Sequence, residues 1–224
     1  MAIFDEPSRK PLPQPTFEDV KHAGGKALVG MIPFVGTAGA ELIGVLSSPV
    51  AQRRDAWLED LERRLRELEG RGNGFRFDDL AQNEQFVSAT LHAAQAALRT
   101  HQTEKLSALR NAVLNVAIGR GPSDDLQLIF LNLINTLTPT HLLVLSQFDV
   151  RDLEVTRNFR VRQPQLTDLV MRHLLDSGLL KDNRPYAARN RDLPPGSLIE
   201  QSIEITDLGK QFLAFITAPE PLEA

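Results

Sequence analysis

Histidine is the residue type in this chain best suited to proton transfer or metal binding, and the five copies are spaced so as to work alone. His22, His92, His101, His141 and His173 include no two at the i,i+3 or i,i+4 offsets that bring imidazoles onto one helix face as a chelating pair. Each is expected to make an isolated polar contact, and no metal ligand is assigned. The absence of cysteine excludes a thiolate nucleophile, a thiolate metal site and a disulfide framework, and fits a reducing compartment. Gly24-Gly25-Lys26 has the ending of a phosphate loop, yet Val20 stands where the first glycine belongs and Ala27 where a Ser or Thr would hold magnesium. Gly70, Gly72 and Gly74 have the wrong spacing for a dinucleotide turn. Neither Gly-x-Ser-x-Gly nor His-Glu-x-x-His occurs. The expectation is a protein without catalytic residues or a cofactor. One polar set remains: Asn111 and Asn115 share a helix face, and Asn132 and Asn135 interrupt an apolar run. Their expected role is hydrogen bonding between helices, because buried amides must find partners.

The elements that would position these residues follow from composition. Across 224 residues, 25 Lys and Arg face 29 Asp and Glu, and 42% of residues are apolar, which is ordinary globular material without the positive excess of a strong polyanion binder. The N-terminus lacks the basic flank and apolar run of a secretory signal, so a cytoplasmic location is expected. Pro7, Pro11, Pro13 and Pro15 make residues 1–16 an extended arm. Residues 17–138 read as a helical domain. Within it, residues 27–50 form a glycine-rich apolar segment, broken at Pro33 and Gly36, that is expected to fold as a helical hairpin. Gly36, Ala40 and Gly44 make a small-residue face suited to close helix packing, and Leu58, Leu61, Leu65 and Leu68 make the stripe of the next helix. These seven positions are the expected oligomer contact.

That leucine helix should end at Gly70, before a glycine-rich turn. Acid-before-base pairs at i,i+4, Glu59 to Arg63, Asp60 to Arg64 and Glu62 to Arg66, would support it. Three further helices are expected between residues 78 and 138. The last of them, residues 125–137, is apolar on nearly every side and reads as the core helix of the bundle. Thr138 and Pro139 then supply a cap and a first-turn proline for a helix running to about Phe148.

In the C-terminal third the order of signals is this helix, a charged connector, a helix over residues 165–177 and a Gly-Leu-Leu step. A hairpin-like stretch and a capped terminal helix follow. The pieces Leu-Leu-Asp-Ser-Gly-Leu-Leu at 174–180 and Ile-Thr-Asp-Leu-Gly-Lys-Gln-Phe at 205–212 resemble the winged helix-turn-helix superfamily, in particular MarR-like domains. The resemblance covers about a third of the chain; the remainder resembles helical regions of uncharacterised bacterial proteins, from which no activity carries over. It implies that residues 165–177 are the recognition helix and that the hairpin is the wing, with Arg172, Lys181, Arg184, Tyr186, Arg189 and Arg191 as possible nucleic-acid contacts. The recognition helix carries Asp168 and Asp176 against Arg172, a balance of -1 where phosphate contact favours positive charge.

The expected fold class is therefore mainly α: an N-terminal helical bundle with its glycine-rich hairpin, then a winged-helix (α+β) domain over residues 139–218 and a tail over 219–224. The expected function is a non-enzymatic interaction or regulatory protein acting through self-association or a protein partner. The alternatives are a winged-helix DNA-binding regulator and an effector that associates with membranes through residues 27–50.

Overall fold

A computed structural model describes residues 37–72, 74–184 and 202–219, the stretch 37–48 by its backbone alone. The chain divides into two units, Met1–Ser48 and Pro49–Ala224. The proline-rich arm, Gly36 and the first part of the glycine-rich segment lie outside the described residues, as do Tyr186, Arg189 and Arg191. Ala40 and Gly44 lie on helical backbone at the start of α1 (Thr37–Gly70), which runs without a break into the leucine-striped stretch expected as a next helix. Among the described residues the architecture is mainly helical, with a small two-stranded antiparallel sheet in the C-terminal part.

After α1 and a short 3-10 helix (Phe77–Gln82) come α2 (Glu84–Leu98), α3 (Thr103–Ala117), α4 (Asp124–Thr136) and α5 (Pro139–Val150). Then follow α6 (Glu154–Arg162), α7 (Pro164–Asp176), β1 (Leu180–Asp182), β2 (Ile203–Ile205) and α8 (Asp207–Ile216). The strands pair with Leu180 opposite Ile205 and Asp182 opposite Ile203. The glycine-rich turn after α1 is present, and Gly72 and Gly74 both take positive φ there.

The buried stripe of α1 is Trp57, Leu61, Leu65 and Leu68, whereas Leu58 is exposed at 37%. The indole of Trp57 donates to the carbonyl of Leu106, so the single tryptophan fixes α1 on α3. Leu61, Leu65 and Leu68 are thus used inside the chain, which corrects their assignment to an oligomer contact: their apolar area is already covered. Of the expected charge pairs, Glu62–Arg66 forms at 3.0 Å. Arg63 turns instead to Asp60 and Glu67, and Asp60 also accepts from Arg110 of α3 at 2.6 Å.

The innermost helix is α3, not residues 125–137. Every residue from Asn111 to Ala117 is buried, and α3 packs on α2, α4 and α8. On α4, Phe130, Leu131 and Ile134 are buried, but Leu128 and Ile129 are exposed. Its apolar periodicity is real and overestimates its enclosure.

A further correction concerns the charged connector after Val150, which is itself a helix, α6. Glu154 in its first turn and Arg160 and Arg162 in its last complement the helix dipole, and Thr156 is buried against the neighbours. The break expected at 138/139 also does not separate two cores. Phe130 of α4 meets Phe212 of α8 edge to face at 5.3 Å and Phe215 at 5.7 Å, so one core runs through both halves of Pro49–Ala224.

Among the described residues no helix is long and apolar enough to cross a membrane alone. Only α4 and α5 taken together approach that composition, as a pair bent by 119°.

Candidate interaction surface

The surface is built on the step from α7 into β1 and its docking against α8. The α7 helix ends in a Schellman motif: Gly178 at φ 72° occupies the left-handed position, Leu179 N–H donates to Leu174 and Gly178 N–H to Leu175. The two segments that carry the winged-helix resemblance meet here. Thr206 donates its backbone N–H to Leu179 O at 3.0 Å and its hydroxyl to Gly178 O at 2.7 Å, while its oxygen accepts from Gly209 N–H and caps α8. Only glycine fits at 209, because a Cβ there would lie 2.3 Å from Leu179 O. The far end of α8 is secured by the asparagine pair. Asn115 donates to the carbonyls of Phe215 and Thr217, both at 2.9 Å, and Asn111 to Ile216 at 2.9 Å. The expected interhelical role of these amides is what they perform: they satisfy carbonyls that the last turn leaves orphaned. Asn132 and Asn135 are exposed, and the carbonyl of Asn135 accepts from the buried Lys105 ammonium at 2.7 Å.

With α7 so fixed, its buried side is Thr167, Val170, Met171 and Leu174. Its outer side presents Leu166 at 39% and Leu169 at 62% exposure, with Asp168, Arg172 and Asp176. Asp168 is paired with Arg160 of α6 at 2.8 Å. Arg172 is exposed and makes no ion pair among the described residues.

Of the other cations expected to meet nucleic acid, the two among the described residues, Lys181 and Arg184, are committed within the chain. Arg184 grips Asp182 through Nε and Nη2, at 3.0 and 2.7 Å from Oδ2, and the carboxylate holds its guanidinium above the usual arginine range despite burial working the other way. Lys181 pairs across the sheet with Glu204 at 3.3 Å, and the Asn183 amide together with that ammonium lowers the Glu204 carboxyl.

A second polar centre lies behind α7, without a signature in the residue spacing. His141 and His173, 32 residues apart, meet with Nε2 to Nδ1 at 3.1 Å and rings perpendicular at 4.9 Å between centroids. Their contact depends on α5 and α7 lying side by side, which no local spacing encodes. His141 is also the third residue of α5, and its Nδ1 accepts from the backbone N–H of Thr138, so an imidazole completes the capping box where Glu or Gln is usual. Burial, then His173 and then Lys105, push His141 down to about 4. Among the described residues no three His, Asp or Glu side chains gather as a metal site. A surface cleft of about 550 Å³ between α3, α5 and α8 is bordered by Arg120, Asp149 and Lys210. All three are exposed side chains, and the Asn115 amide at its wall is occupied by the α8 carbonyls.

Comparison with known proteins adds no relative: no family model matches the chain, and neither the curated proteins nor the solved structures contain a match.

Proposed function

We propose that this protein is a non-enzymatic interaction protein that self-associates through the outer face of α7, which is carried on a winged-helix-like module made of α5 to α8 and the small sheet. The single observation that carries this reading is the apolar exposure of Leu166 and Leu169 on the helix that, in a DNA reader, would lie against phosphates. That face has a formal balance of -1, and the nearby Lys181 and Arg184 are engaged by carboxylates of their own chain. The module reading is supported by the order helix, helix, helix, strand, strand, helix among the described residues, and by the way Thr206 and Gly209 lock onto the Gly178-Leu179 step.

A second copy is the favoured partner because the face is self-complementary. In an antiparallel pairing about a two-fold axis, Leu169 meets its own counterpart while Arg172 reaches the Asp168 or Asp176 of the other helix, as an isologous contact requires. Sedimentation equilibrium on the full chain tests this. The expected result is a dimer that Leu169→Asp converts to a monomer; a strict monomer at high concentration, or a dimer indifferent to Leu169→Asp, overturns it. Fluorescence anisotropy with duplex DNA at low salt separates the regulator reading, which requires binding that Arg172→Ala weakens and that falls steeply as salt rises.

A further inference from the structure

A groove of about 120 Å³ lies between α1 and α3, bordered by Arg64 and Glu67 of α1, by Arg71 just past its end and by Arg110 of α3. Ala218 and Pro219 close one side of it. Positive charge is in excess here. Four guanidinium groups, those of Arg63, Arg64, Arg71 and Arg110, stand against two carboxylates: Asp60 takes Arg63 and Arg110, and Glu67 takes Arg63 and Arg64. The neighbouring Arg66 is matched by Glu62, and the Glu69 carboxylate accepts from the Phe77 N–H. Arg71 is exposed and makes no ion pair among the described residues. Nε of Arg110 is buried and finds no acceptor among them. The residues after Pro219 carry the missing charge: 220–224, outside the described residues, read Glu-Pro-Leu-Glu-Ala, two carboxylates and no cation. We propose that Glu220 and Glu223 strap this groove through Arg64, Arg71 and Arg110, so that it is an acidic-peptide site filled by the chain's own tail.

Direction and spacing favour this occupant as well as charge. Thr217 borders only the larger cleft beside α5, whereas Ala218 and Pro219 border both, so the backbone leaves α8 toward α1. An extended chain covers about 10 Å between Glu220 and Glu223, and Pro221 biases the residue before it toward that extended form. Arg64 and Arg71, seven positions apart, lie on one side of the helical path with an axial rise of about 10 Å between them. The two carboxylates and the two guanidinium groups are thus spaced alike. The larger cleft fits less well, because Asp149 offsets one of its two cations, Arg120 and Lys210. A tail seated between α1 and α3 ties the end of α1 to α8 and closes the groove to acidic segments of other chains.

A charge-reversal cycle on the full chain tests the strap, read at low salt by hydrogen exchange at the backbone amides of residues 65–70. One arm reverses the tail, Glu220→Lys with Glu223→Lys; the other reverses the groove, Arg64→Glu with Arg71→Glu. Arg64 and Arg71 are exposed, so the groove arm empties no core position, and the cycle subtracts the Arg64–Glu67 pair that it removes. Reversing the tail should speed exchange at residues 65–70 roughly two- to fivefold, the scale of exposed ion pairs, and leave α2 unchanged. High salt should erase the difference. With both arms combined, exchange should be slower than the two separate effects predict. Additive effects, or a reversed tail that leaves residues 65–70 as they were, overturn the proposal. So does coupling of the tail to Arg120→Glu with Lys210→Glu in place of the α1 pair, which seats it in the larger cleft. A coupling that grows with protein concentration overturns it too, because the occupant is then the tail of a second copy.

Discussion

At the scale of single residues, the strongest constraints lie where a backbone group has one possible partner. Gly209 faces the Leu179 carbonyl so closely that Gly209→Ala is expected to lower stability by about 1–3 kcal/mol or more, measured by urea denaturation. Asn115→Ala strands carbonyls of the last turn of α8 and is expected to cost about 1–3 kcal/mol in the same assay. Acid sensitivity has two sources with the same sign. The folded value of His141 lies below its ordinary 6.5, so its contribution is complete above that pH and is lost as pH falls toward about 4. Burial of Asp60 raises its carboxyl, but the guanidinium groups of Arg110 and Arg63 outweigh this and hold it below 3.8, so its contribution is present above that pH and lost beneath it. Melting temperatures from pH 8 to pH 3 should therefore fall in two stages, and His141→Gln should remove the first. Of these residues the asparagine pair was legible beforehand, because i,i+4 amides on an apolar helix need partners. The histidine pair was not, because its geometry exists only after α5 and α7 have packed.

At the scale of elements, chain punctuation reads well and enclosure reads poorly. The stop at Gly70, the Thr138-Pro139 start and the Gly178 cap all follow from what glycine, threonine and proline do to a backbone. Apolar periodicity says that a helix has an inward side, but not how many neighbours surround it; hence α3, carrying two asparagines, lies deeper than the more apolar α4. The connector that became α6 shows the complementary error, since its charges mask a short helix held by its neighbours. Two outcomes belong to this scale. Arg151 ends α5 at φ 57°, a conformation that favours glycine, so Arg151→Gly should raise stability by up to about 1 kcal/mol in urea denaturation. Leu169→Asp, by contrast, changes only the outer side of α7 and should leave unfolding free energy within about 0.5 kcal/mol of wild type while it removes self-association.

At the scale of the molecule, residues Pro49–Ala224 act as one body because α8 belongs to both halves of the core. The sequence suggested a boundary at 138/139 because the pattern of signals changes there; what it hides is that Phe212 and Phe215 return to Phe130 from the end of the chain. A chain ending at Thr206 should therefore lose its cooperative thermal transition and expose dye-binding apolar surface instead of leaving an intact N-terminal bundle. Circular dichroism melting with dye binding measures this, and a sharp transition in the shortened chain would contradict it.

The hydrogen bond from Asn111 to Ile216 spans 105 positions, and its donor sits in the middle of the most enclosed helix. A nascent polypeptide leaving the ribosome must expose that helix to the cell until Ile216 has emerged as well. Compaction of this core thus waits on synthesis of α8, and a product stalled or terminated before it becomes a client for chaperones and proteases.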